Sequence, residues 1–158
     1  LKRSPATTDK MAFPRRLFFY GTLTHEHSNT LTTTLLPRLG GRPRRGWVRG
    51  ALFLRHDPLG VYPVLMPGAG RVRGWVYGGL RPIPRAVLAA FDAWEYCDPR
   101  RPGRGEYRRV NLIVHTRGGP LRAAAYLPNR RTPLGLRAVP GGDFAAYAAA
   151  RGLSVLSE

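Results

Sequence analysis

FFYGTLT, residues 18–24, is an apolar run that stops on Gly21 and a small hydroxyl residue, with no proline or Asn-Gly pair to turn it. Arg16 to Tyr20 reads as a strand, and the abrupt glycine marks its exit. Such an exit is either a plain turn or a place where successive backbone N–H groups face something negatively charged. Outward from this strand, Ser28 to Leu36 reads as a helix ended by Pro37 and Gly40-Gly41. Trp47–Leu54 reads as a second strand and Val61–Met66 as a short extended piece. Val72–Tyr77 alternates, with Val72, Gly74 and Val76 on one face and Arg73, Trp75 and Tyr77 on the other. Pro84 opens a helix running to Ala93 or Glu95. Beyond the loop 98–105, Tyr107–His115 and Leu121–Leu127 form a hairpin turned by Gly118-Gly119. Asp143 caps a last helix, with Gly152 past its end. Strands outnumber helices and suit antiparallel pairing, which favours an α+β domain, a small closed or partly closed β-barrel with helices outside, over a doubly wound sheet.

The length of 158 residues suits a single domain with its own core, and 43% apolar residues place it among ordinary globular chains. Residues 1–13, with Met11 near their end, read as a flexible extension, leaving 14–158 as one domain. Cys97 is the sole cysteine, which excludes a disulfide framework and favours a reducing, cytoplasmic setting. No apolar stretch approaches the roughly 20 residues of a membrane span, and the first residues lack the apolar core of a signal peptide. No membrane partner is expected.

Charge is lopsided: 26 Lys+Arg against 9 Asp+Glu, a net +17. Such a surface attracts polyanions, and nucleic acid is the obvious partner. The basic residues are nearly all arginine and scattered, as GC-rich coding tends to produce, so nucleic-acid binding ranks below an enzymatic reading.

That reading starts from a carboxylate. On a helical wheel Pro84, Val87, Leu88, Phe91 and Trp94 share one side, and Glu95 falls among them while Asp92 points toward the rim. An unpaired charge on an apolar stripe is costly. Burial and the negative end of the helix dipole both raise the pKa of such a group, as general acid–base chemistry near neutral pH requires. The competing reading is a helix that frays at Asp92 and frees Glu95 to meet solvent or an arginine. Other candidates are weaker. His25-Glu26-His27 lacks a third metal ligand, Cys97 reads as a structural thiol, and Gly68-Ala69-Gly70 fails the dinucleotide fingerprint.

Taken in order, the motifs resemble the gamma-glutamylcyclotransferase-like family over about residues 17–147. Tyr20-Gly21-Thr22-Leu23 is similar to its Y-G-[ST]-L strand–loop motif, and Tyr62-Pro63 through Gly68, with Val72 and Gly74, to its second stretch. Phe91-Asp92-Ala93-Trp94-Glu95 resembles the segment carrying the catalytic acid. Tyr107-Arg108-Arg109 and Gly142-Asp143-Phe144 match later motifs. The resemblance implies a small mixed β-barrel flanked by helices. It also implies release of 5-oxoproline from a gamma-glutamyl amine, amino acid or peptide, with Y-G-T-L nearest the branch acting on gamma-glutamylamines. Glu95 would shuttle the proton, and the amides of Gly21, Thr22 and Leu23 would grip the substrate's α-carboxylate. Tyr20, Tyr107 and Tyr126 would line the pocket. Arg109 would either contact substrate or support the site through an ion pair. The partner implied is a small gamma-glutamyl molecule; no metal or organic cofactor is required. One departure stands out: Tyr96 occupies a position where the family commonly has a small residue, often glycine. A non-catalytic member binding a small ligand or partner is the alternative within the same fold.

Overall fold

The computed structural model describes residues 14–129 and 136–155, apart from the side chain of Asp57. The expected extension over 1–13 lies outside the described residues. In chain order the elements are β1 (Arg16–Phe19), α1 (Thr30–Thr34), β2 (Arg44–Asp57), β3 (Gly60–Gly78), α2 (Arg85–Trp94), β4 (Tyr107–Thr116), β5 (Gly119–Pro128), β6 (Arg137–Ala138) and α3 (Phe144–Arg151). The strand order β3-β1-β5-β4-β2 closes through a further β2–β3 pairing, and β6 adds to β2. β1 and β5 run parallel while the other named pairs are antiparallel. Among the described residues the result is a closed five-stranded mixed barrel with three α-helices, an α+β fold as expected.

Alternation along the strands sorts the apolar side chains into two cores. Phe18, Val48, Val72, Val76, Val114, Ala123 and Ala125 join one, with Phe144 and Ala148 of α3. Leu17, Phe19, Tyr77, Ala124 and Tyr126 join the other, beneath Leu31, Val87, Leu88 and Phe91 of the helices. β1 is therefore buried on both faces, which explains why residues 17–19 are apolar without a break.

Three expectations change. Val61–Met66 and Val72–Tyr77 belong to one long strand, β3, because both halves pair with the equally long β2. Between the pairs Arg49↔Arg71 and Ala51↔Met66 the register shifts, and residues 67–70 form an exposed corner there. The first helix is shorter: Asn29 caps α1, and Pro37 lies inside a following 3-10 turn, Leu36–Leu39, rather than ending the helix. Asp92 points inward, contrary to the wheel, and is 6% exposed. α3 matches expectation, with the Asp143 side chain accepting from the Ala146 N–H and Gly152 left-handed at the end (φ 59°).

Candidate active site

β1 delivers Tyr20 and the loop after it to the foot of α2. The Tyr20 hydroxyl donates to the Tyr126 carbonyl at 2.8 Å and accepts from the Leu65 N–H at 3.4 Å. The next two carbonyls are turned away and held: Gly21 C=O accepts from the Thr24 hydroxyl at 3.3 Å, and Thr22 C=O from Asn29 Nδ2 at 2.9 Å. Asn29 is held in turn by a capping box, its Oδ1 accepting from the Thr32 N–H at 3.0 Å. No described residue accepts from the backbone N–H of Gly21, Thr22 or Leu23. Successive amides left free by the described residues at a strand exit are what an anion cradle requires. Gly21 is required for a reason the sequence did not show. A Cβ there would lie 2.5 Å from Pro63 Cγ, so glycine admits the Pro63 ring.

Glu95 is the C-cap of α2, and the residues after it form a Schellman ending. The Tyr96 N–H donates to Ala93 C=O at 3.2 Å and the Cys97 N–H to Asp92 C=O at 2.8 Å. Tyr96 takes the left-handed conformation (φ 48°), the sole non-glycine among the described residues to do so. A glycine, one of the small residues the resemblance implies here, would fit this position because left-handed backbone costs glycine little. Here a tyrosine occupies it, and its ring is 69% exposed. Tyr96 C=O accepts from the Glu106 N–H at 2.9 Å, which ties the base of the basic loop to the end of the helix.

A cavity of about 770 Å³ lies between these pieces, within the usual range of small-molecule sites. Tyr20, Gly21, Thr22, Leu23, Glu95, Tyr107 and Tyr126 all face it. Arg109 is not among the lining residues. It pairs with Asp92, which also accepts from the Tyr126 hydroxyl at 2.7 Å. This buried cluster explains Asp92's inward turn: β4 and β5 supply a cation and a hydroxyl that offset its desolvation. It also clamps α2 to the barrel three residues before Glu95.

Burial first, and the Glu106 carboxylate second, push Glu95 up to about 8. Burial, the Tyr20 hydroxyl and the Glu95 charge raise Tyr107, and burial first of all raises Tyr20 and Tyr126, so these three phenols stay protonated. Glu106 and Asn29 line the site without having been singled out in the sequence, and so does Tyr62, which was quoted only within a motif. Asn29 had a legible signal, the Asn29–Thr32 capping-box spacing. Glu106 had none, because only the closing of the loop onto Tyr96 brings it in.

The weaker candidates find structural roles. His25 meets the Tyr77 hydroxyl at 2.8 Å, and Glu26 accepts from Trp75 Nε1 at 2.7 Å. Among the described residues no group of three or more His, Cys, Asp or Glu could hold a metal. Cys97 is buried in the helix-side core, and burial raises its thiol pKa. No helix among the described residues is long and apolar enough to cross a membrane.

The family model described as "Gamma-glutamyl cyclotransferase, AIG2-like" matches residues 17–146. The chain belongs to this family. Among solved structures, the family member is similar to YkqA of Bacillus subtilis, with a TM-score of 0.62 and 19% identity over 88% of this chain and 42% of that one. It thus spans less than half the length of YkqA. An AIG2-like protein of Mus musculus gives 0.56 at 23% identity, covering 84% and 95% of the two chains. The uncharacterized protein PH0828 of Pyrococcus horikoshii gives 0.55 at 21%, covering 87% and 95%. Identities this low speak for the fold. No curated protein matches the chain.

Proposed function

We propose that this protein is a gamma-glutamyl cyclotransferase, releasing 5-oxoproline from a gamma-glutamyl amine, amino acid or peptide. One observation carries the reading. Glu95, raised to about 8, shares a cavity with the amides of Gly21, Thr22 and Leu23, which no described residue engages. The amides hold the substrate's α-carboxylate, which aims its α-amine at its own γ-carbonyl. As the amine nitrogen bonds to that carbon, its proton passes to the Glu95 carboxylate. Glu95 returns the proton to the leaving nitrogen as the amide C–N bond breaks, so no net proton or electron is consumed. Proton transfer of this kind contributes about 10²–10⁴ in rate, and holding the chain in near-attack geometry adds several kcal/mol.

The test is direct. The protein is incubated with gamma-glutamyl amines, gamma-glutamyl amino acids and glutathione, and 5-oxoproline is measured. Wild type is expected to release it, and Glu95→Gln to lose about 10²-fold or more. Equal turnover by both would remove Glu95 from the mechanism. No turnover across the panel, with ligand-dependent thermal stabilisation, would mark a non-catalytic member instead.

A second reading, nucleic-acid binding, is favoured by a different surface. Arg45, Arg49, Arg71 and Arg73 are exposed on the outer faces of β2 and β3, in register with Trp47 and Trp75. Arg71 lies 4.2 Å over the Trp47 ring, which stacks on His115 at 4.1 Å. Binding there predicts an oligonucleotide affinity that falls steeply with salt and with Arg49→Glu/Arg73→Glu. A flat salt response would discard it.

A further inference from the structure

Left-handed backbone costs stability in any residue that carries a Cβ, and among the described residues Tyr96 is the sole non-glycine held there (φ 48°). The fold makes little use of the side chain in return. Tyr96 is 69% exposed, and its hydroxyl makes no hydrogen bond to a described residue. What the fold uses is the backbone, through the N–H bond to Ala93 and the C=O bond from Glu106, and any residue could supply both. That backbone is held firmly. The Asn129 N–H donates to Glu106 C=O at 2.9 Å, and Asn129 Nδ2 donates to the carbonyls of Pro102 and Gly105 at 2.6 and 2.7 Å. The ring is thus carried on a fixed base, next in the chain to Glu95. Four large apolar side chains stand exposed among the described residues: Leu59, Leu80, Tyr96 and Ile113. Single exposed apolar groups are ordinary. Leu59 and Tyr96, however, come from separate elements, the β2–β3 turn and the end of α2, and both line the cavity.

Resting on the cyclotransferase reading for the ligand, we propose that Tyr96 is a ligand-contacting residue whose ring, with Leu59, packs over the molecule in the cavity and shuts water away from Glu95. Strained backbone of this kind persists at functional sites because the bound state uses it. In the free protein the ring faces solvent and returns little. Over a bound gamma-glutamyl chain it covers methylenes that would otherwise stay wet, and the Leu59 side chain loses water at the same time. Excluding water also strengthens the electrostatics of proton transfer at the neighbouring carboxyl. Covering part of one aromatic ring is worth on the order of tenfold in affinity. The contact is with the bound molecule as a whole, so removing the ring weakens gamma-glutamyl compounds with different leaving groups alike.

The test sets activity against stability. Tyr96→Gly and Tyr96→Asn both remove the ring and keep a residue that tolerates left-handed backbone; Tyr96→Phe restores the ring. 5-Oxoproline release from gamma-glutamylpentylamine and gamma-glutamylalanine is measured beside thermal melting. The two ringless variants should lose about tenfold in kcat/KM on both compounds while melting no lower than wild type, and Tyr96→Phe should recover most of that loss. A merely structural tyrosine would move activity and stability down together, and that result in both ringless variants overturns the proposal. So does unchanged kcat/KM in either of them. Calorimetric titration of the same two compounds, onto Glu95→Gln and onto Glu95→Gln carrying Tyr96→Gly, separates the contact from the reaction. A Kd weakened about tenfold by loss of the ring, without 5-oxoproline from wild type, discards the reaction and keeps the contact. Turnover by wild type with equal Kd values for the two proteins keeps the reaction and discards the contact. Binding of neither compound discards both.

Discussion

Glu95 makes the protein less stable as pH rises, and replacing it removes that dependence. Folding moves the carboxyl from its ordinary 4.5 to about 8. Below pH 4.5 it is protonated in both the folded and unfolded chain and contributes nothing. Between 4.5 and 8 the unfolded chain gives up the proton while the folded chain keeps it, so unfolding is favoured progressively. Above about 8 both are ionised and the cost is constant. At about 1.4 kcal/mol per pH decade the ceiling is about 5 kcal/mol. The residue is only partly buried and faces an open cavity, so water screens the charge and reduces this to roughly 2–3 kcal/mol. Urea unfolding of wild type and Glu95→Gln from pH 5 to pH 9 reads the difference directly. The glutamine variant should gain relative stability across that range, reaching roughly 2–3 kcal/mol at pH 9. Other titrating groups largely cancel in the comparison. A difference that stays flat with pH would refute the claim that Glu95 is a desolvated acid.

Tyr96→Gly should stabilise the fold by about 1 kcal/mol, since glycine suits the left-handed position and the lost ring is mostly exposed. Thermal melting would read this as a rise of about 2–4 °C, and a fall would mean the ring packs more than its exposure implies. Gly21→Ala should cost about 1–3 kcal/mol in denaturant unfolding, because the new Cβ meets Pro63 at 2.5 Å. A neutral result would show that the ring moves freely aside. Arg109→Met should cost about 3–5 kcal/mol by leaving Asp92 buried without its cation, and adding Asp92→Leu should recover part of that loss. Purely additive losses in the double variant would deny the coupling.

Where local chemistry decides a feature, the sequence alone was enough. The strand stopping at Gly21, the hairpin at Gly118-Gly119, and Asp143 and Gly152 around α3 are legible because capping, turning and alternation depend on neighbours a few residues away. The resemblance likewise grouped Tyr20–Leu23, Glu95, Tyr107, Arg109 and Tyr126, and all of these but Arg109 line the cavity. Closure is different. Residues 61–77 read as two pieces because their corner at 67–70 is proline- and glycine-rich, and only the long pairing with β2 joins them. Asp92 read as turned to the rim, and Arg109 as open between two roles, for the same reason: whether a carboxylate turns inward depends on what another strand sets opposite it. A helical wheel carries the direction of a side chain but not its partner. Tertiary structure alone brought the loop amides after β1, the raised acid after α2 and Glu106 to one cavity. Their approach depends on barrel closure, which brings together residues more than seventy positions apart along the chain.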